Sequence, residues 1–219
     1  MRFYPRRFHF AAWLGGSLLA LRAFATEPAL ATNATEPAAS PDPVVTGPEP
    51  VRYEWEVMTA VLWKVGGGAT PLTYRLMPQI ISLRIPPINE HPLAGGRLIF
   101  RSRFSLLLEP IVRGPEDYFF GVAAAGELQW RDATDRFGCF FASGGGFGWM
   151  NAKGQRIAGA QGQDFNFNWL IHGGLSYRTR EAWEWSVGLY FQHISNRNLN
   201  HVNPGLNALG PTVGLSRRF

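Results

Sequence analysis

The sequence predicts an all-β fold, an eight-stranded antiparallel transmembrane β-barrel, placed behind an export segment. Three observations carry this expectation. Apolar residues recur with period two through most of residues 51–219, the period of a strand. Large aromatic residues gather at the ends of the apolar faces. No stretch of residues 51–219 reaches the roughly 18 consecutive apolar residues that a spanning helix needs.

Residues 1–25 read as a signal peptide. Arg2, Arg6 and Arg7 precede an apolar run from Phe10 to Leu21, and Ala23-Phe24-Ala25 supplies the small residues a signal peptidase reads. Residues 26–50 are rich in Ala, Pro, Thr and Glu, with Pro28, Pro37, Pro41, Pro43, Pro48 and Pro50. Such a composition buries no core and predicts a disordered leader. The barrel domain is then 51–219. Export also changes the charge argument. The chain carries 21 basic and 16 acidic residues, net +5, but four of the arginines fall in residues 1–25. Behind the signal, 17 basic residues face 16 acidic ones, so the basic balance gives no support to nucleic-acid binding.

The strands follow in order. In 51–65 the odd-numbered set is Tyr53, Trp55, Val57, Thr59, Val61 and Trp63, against Arg52, Glu54, Glu56 and Lys64. A second strand over 72–85 is interrupted by Pro78. In 97–109, Leu98, Phe100, Phe104, Leu106 and Leu108 oppose Arg97, Arg101, Arg103 and Glu109. In 118–131, Phe120, Val122, Ala124, Leu128 and Trp130 oppose Glu127, Gln129 and Arg131. The fifth, 136–149, is Gly-rich. In 164–178, Phe165, Phe167, Trp169, Ile171, Leu175 and Tyr177 oppose Asn166, Asn168, His172 and Arg178. In 183–195, Trp183, Trp185, Val187, Leu189 and Phe191 oppose Glu184, Ser186 and Gln192. The last strand is 210–219. Turn residues separate them, including Gly66-Gly67-Gly68, Pro86-Pro87, Gly114-Pro115, Asp132 to Asp135 and Thr179 to Glu181.

Alternation also suits a soluble lipid-binding barrel, which keeps its apolar face inside. The membrane reading is favoured by Tyr53, Trp55, Trp63, Trp130, Trp183 and Trp185 as interfacial girdles. The other face, with Arg97, Arg101, Arg103 and Glu109, suits a narrow polar lumen. The terminal Phe219, in phase with Leu215 and Val213, resembles the signal that barrel-assembly machinery reads. The single cysteine, Cys139, allows no intrachain disulfide and no cysteine metal cluster. Among Phe137, Phe140 and Phe141 it reads as a packed apolar residue.

One constellation carries chemistry: Gln192-His193-Ile194-Ser195-Asn196, then Asn203-Pro204-Gly205-Leu206-Asn207. His193 and Ser195 are two apart on a strand, so both leave on one face, and that face is the apolar one. Polar groups that point at lipid are costly and mark function. With a periplasmic N terminus the seventh strand ends at the outer leaflet. An ester hydrolase needs a hydroxyl nucleophile, an imidazole within hydrogen-bond reach and donors for the oxyanion. On spacing alone, however, an H-x-S sequence is more often a polar strand end entering a loop.

The block from Tyr190 to Phe219 resembles the end of the lipid A 3-O-deacylase (PagL-like) family, also called acyloxyacyl hydrolases. The resemblance implies an eight-stranded bacterial outer-membrane barrel with a serine-esterase site facing the bilayer and lipid A or lipopolysaccharide as substrate. It needs no cofactor and no metal. It implies Ser195 as nucleophile, His193 as base, and Asn203 with Asn196 around the oxyanion. The family's acid falls at Asn207, where it typically has Glu; an Asn carbonyl can orient the imidazole but cannot stabilise its cation by charge. His201 is a further histidine in the same loop and reads as a surface residue. The competing reading is a non-catalytic outer-membrane barrel, structural or adhesive, that kept the family scaffold.

Overall fold

The computed structural model describes residues 52–66 and 70–219, and the expected signal peptide and leader lie outside them. Eleven strands form one sheet: β1 (Glu54–Ala60), β2 (Leu62–Lys64), β3 (Arg75–Leu76), β4 (Gln79–Arg84), β5 (Asn89–Leu93), β6 (Gly96–Arg113), β7 (Tyr118–Asp132), β8 (Phe137–Met150), β9 (Phe165–Arg178), β10 (Trp183–Ser195) and β11 (Leu206–Arg218). They make eight staves, because β1 and β2 are one stave broken at Val61, and β3, β4 and β5 are another. Every pairing is antiparallel, and β1 with β11 closes the barrel from Glu54↔Arg218 to Ala60↔Thr212. Closure pairs the two edges of the wall with each other, which a wall standing in lipid requires, while β5 pairs β6 alone.

The alternation resolves into two solvents. Val57, Phe104, Phe120, Phe141, Trp169, Trp185, Leu189 and Val213 all face outward and are exposed. The opposite positions fill the lumen, and they divide it lengthwise. Near the start of β1 and the end of β11 the lumen is an ion cluster: Arg84 meets Glu54 at 2.5 Å, Glu56 at 2.9 Å and Glu127 at 3.2 Å, while Arg101 joins Glu127 at 3.1 Å. Arg131 and Arg178 close on Glu184, and Arg178 also on Asp135. Toward the other end apolar side chains, Met58, Leu62, Leu76, Leu107, Phe119 and Leu206, pack together beside the buried polar Glu109, Gln192, Asn166 and Asn168. The expected polar lumen therefore shares its outer half with an apolar cluster. Glu109 does not pair with the arginines beside it in sequence; it lies deeper along β6 and accepts a hydrogen bond from Gln192 at 3.1 Å.

Three local expectations are corrected. Pro86-Pro87 interrupts the second stave without turning it: the chain runs on through β5 and reverses at Ala94-Gly95, both with positive φ. The last strand begins at Leu206 and not at 210, since its first residues pair with the end of β10. Cys139 is exposed on the outer wall in phase with Phe137 and Phe141, whereas Phe140 turns inward. The Gly-rich β8 is a full strand. Its glycines admit a close neighbour, for a Cβ on Gly146 would lie 1.8 Å from the carbonyl oxygen of Val122.

The reversals at one end are short, at 94–95, 133–136 and 179–182, and the opposite end carries longer segments at 65–74, 151–164 and 196–205 beside one four-residue reversal at 114–117. Short periplasmic turns and longer outer loops are the usual asymmetry of such barrels. It puts the start of β1 and the end of β11 on the periplasmic side and the end of β10 at the outer leaflet.

Candidate active site

The outward stripe of β10 runs Trp185, Val187, Leu189, Phe191 and then turns polar at His193 and Ser195. Spacing of two puts both on one face. His193 Nε2 lies 3.0 Å from Ser195 Oγ. On the next stave Asn207 is the ladder partner of His193, and its Oδ1 is 2.6 Å from His193 Nδ1. An amide oxygen only accepts, so Nδ1 carries the proton and Nε2 is left with a lone pair for the Ser195 hydroxyl. Ser195, His193 and Asn207 are thus one hydrogen-bonded chain spanning β10 and β11.

Neighbouring elements hold it in place. The Val65 N–H donates to the Asn207 carbonyl at 2.9 Å, and the Thr70 N–H to that of Gly205 at 3.0 Å. Gly205 has φ +66°, and a Cβ there would stand 3.4 Å from His193 Cε1, so this position suits glycine in both backbone and space. On the β9 side Trp169 is the ladder partner of His193 and packs edge-on against Phe191 with centroids 5.4 Å apart. Phe167 is the ladder partner of Ser195.

The loop after Ser195 is closed by its asparagines. The backbone N–H of Asn196 donates to Asn203 Oδ1 at 3.0 Å, which fixes the oxygen end of that amide. Asn203 Nδ2 donates to Asn198 Oδ1 at 2.9 Å, which uses one of its two hydrogens. Asn196 Nδ2 donates to the Val202 carbonyl at 2.9 Å, and its Oδ1 accepts the Asn198 N–H at 2.9 Å. The site residues expected from sequence therefore fall in two connected groups. Ser195, His193 and Asn207 form the chain, and Asn196 and Asn203 form the loop that adjoins it. His201 is exposed in that loop and outside both groups. No group of histidine, cysteine and carboxylate side chains able to hold a metal occurs among the described residues.

The sequence places Trp169 on an apolar strand face but does not tie it, Thr70 or Arg197 to the site, because their contacts there run between elements and local spacing carries no signal of that. Arg197 stands over the Phe167 ring with its guanidinium carbon 5.5 Å from the centroid.

Comparison with known proteins agrees with this architecture. The family model for lipid A 3-O-deacylase (PagL) matches residues 98–216, more than half of the chain and all of the site. The crystal structure of the outer membrane enzyme PagL is similar over 73% of this chain and 97% of that one, with 22% identity and a TM-score of 0.50. Neisserial surface protein A is similar over 76% of this chain and 97% of its own, with 11% identity and a TM-score of 0.48. No curated protein matches the chain. With the family model covering most of the barrel, the chain belongs to the lipid A 3-O-deacylase (PagL) family of the bacterial outer membrane.

Proposed function

We propose that this protein is a serine esterase that removes an acyl chain from lipid A in the outer leaflet. The observation that carries the reading is the chain Ser195–His193–Asn207, with contacts of 3.0 and 2.6 Å, at the outer end of a lipid-facing stripe. His193 Nε2 takes the Ser195 proton as Oγ attacks the ester carbonyl, giving a tetrahedral oxyanion and an imidazolium. The imidazolium returns the proton to the leaving sugar hydroxyl, and Ser195 is left acylated. Water, deprotonated by His193, then attacks the acyl-enzyme, and the imidazolium returns the proton to Ser195 Oγ as the fatty acid leaves. Asn207 keeps the imidazole in the tautomer this needs. The oxyanion would be met by the second hydrogen of Asn203 Nδ2, with Asn196 acting through its N–H to hold Asn203 in position. The wall position supports a lipid substrate: an ester in the bilayer meets Ser195 without crossing the filled lumen. Phe219, exposed at the terminal end with its ring stacked on Tyr53, is the feature that barrel-assembly machinery would read.

A fluorophosphonate tests the reading directly. It should add to Ser195 Oγ in the folded protein, excess lipid A should slow the addition, and His193→Ala should abolish it. Absence of any adduct on Ser195 overturns the mechanism.

A second reading, a barrel that keeps the scaffold without turnover, is favoured by one residue. Asn207 stands where the family resemblance places a Glu, and a neutral amide leaves the imidazolium without a counter-charge.

A further inference from the structure

The turn that follows Ser195 holds an arginine where the backbone does not favour one. Residues 196–199 form a tight reversal in which the Leu199 N–H donates to the Asn196 carbonyl at 3.0 Å. Its two central residues, Arg197 and Asn198, have φ of +52° and +64°. Both φ values are those of a type I′ turn, which prefers Asn and Gly at these places. Asn198 fits that preference. Arg197 does not, since an ordinary side chain in the left-handed region is strained. Strain retained in a turn beside a reactive group points to a use for the side chain.

The side chain shows what that use is. The Arg197 guanidinium is stacked over Phe167, the ladder partner of Ser195. The contact holds a cation beside the nucleophile on the lipid-facing wall. Arg197 is exposed, and no carboxylate among the described residues forms an ion pair with it. It stands at the outer-leaflet level, where the bilayer presents phosphate. A planar guanidinium matches phosphate through two parallel hydrogen bonds.

We propose that Arg197 binds a phosphate group of the lipid A headgroup and so sets the substrate's acyl ester beside Ser195. This rests on the esterase reading for the identity of the substrate, but its own evidence is the placement of one cation. Lipid A is an acylated, phosphorylated glucosamine disaccharide, so phosphate and ester belong to one molecule. Arg197 is then a specificity-determining residue, separate from the machinery of bond cleavage.

The test uses the full chain folded in detergent micelles with Ser195→Ala, so that binding is read without turnover. Phosphorylated lipid A should bind about tenfold more tightly than dephosphorylated lipid A. Arg197→Gln should erase that preference, and Arg197→Lys should keep part of it. Arg197→Gly should erase it too while raising the unfolding temperature, because glycine relieves the turn; this separates lost recognition from lost folding. An unchanged preference in Arg197→Gln overturns the proposal. So does equal Arg197-dependent binding of phosphatidylglycerol micelles or inorganic phosphate, which would mean that any phosphate is read. Wild-type protein that binds with the predicted preference but hydrolyses nothing contradicts the esterase reading and supports this one. Hydrolysis with phosphate-independent binding overturns this one alone.

Discussion

Replacing Asn207 by Asp should raise the rate of ester hydrolysis by about three orders of magnitude. Asp and Asn have the same shape, so the carboxylate would occupy the place of the amide oxygen now 2.6 Å from His193 Nδ1. The imidazole becomes a cation only as Ser195 attacks, and a carboxylate beside it stabilises that state more than the resting one. With charge centres about 4 Å apart and an effective dielectric near 20, the attraction is about 4 kcal/mol, or about a thousandfold in rate. The serine-protease template gives a similar scale, since exchanging its acid for the amide lowers the rate roughly 10⁴-fold. The assay is fatty-acid release from lipid A by purified barrels whose folding is checked by heat-modifiable gel mobility. Asn207→Glu, which installs the residue the family resemblance places here, should raise the rate as well. A folded Asn207→Asp variant no faster than wild type would refute the reasoning that Asn207 acts on His193. If both are inactive, the non-catalytic barrel becomes the better account.

Other outcomes follow from the same geometry. Arg84→Met should lower stability by at least about 3–5 kcal/mol, because it leaves Glu54, Glu56 and Glu127 buried without their central cation; the temperature at which the folded gel band is lost reads this. At the periplasmic turn, burial opposes ionisation of Asp135, but Arg178, Arg97 and Arg218 outweigh it and hold its carboxyl below the usual range. A depressed folded value contributes stability above about pH 4 that fades as pH falls through the folded value, and Asp135→Asn should flatten that acid limb of a melting-temperature profile. In the outer loops, burial and then the hydrogen bond and charge of Glu116 push the Tyr74 hydroxyl up. Its contribution should therefore be lost as pH rises above about 10, and Tyr74→Phe should not show that loss. If Ala23-Phe24-Ala25 is the cleavage site, the exported protein should begin at Thr26 by intact mass, and a product that retains residues 1–25 contradicts it.

The wall was legible in the sequence because each stave stands between two environments. Period two separates them, so Trp185, Leu189 and Phe191 declare an outward face wherever the strand ends fall. The same phase puts His193, Ser195 and Asn207 on that face. What local pattern does not encode is registry between staves. The division of the lumen depends on it: Glu54, Glu127 and Glu184, far apart in sequence, converge on Arg84, Arg101 and Arg131, while Glu109 lies too far along its strand to join them. Cys139 was misplaced for a related reason, since adjacent aromatics in β8 face opposite ways and a cluster in sequence is not one in space. Pro86-Pro87 shows the limit of turn signals. Proline removes a ladder donor and breaks pairing, but the chain reverses only where Ala94 and Gly95 take positive φ. The loop bond from the Asn196 N–H to Asn203 Oδ1 also has no signature in spacing, because either asparagine could have pointed to solvent.

The most direct test of the central claim is the mass spectrum of lipid A from cells expressing the wild-type chain or Ser195→Ala at matched outer-membrane levels. The account predicts a species lighter by one acyl chain with wild type and intact lipid A with Ser195→Ala. Identical spectra from the two would contradict hydrolysis at this site.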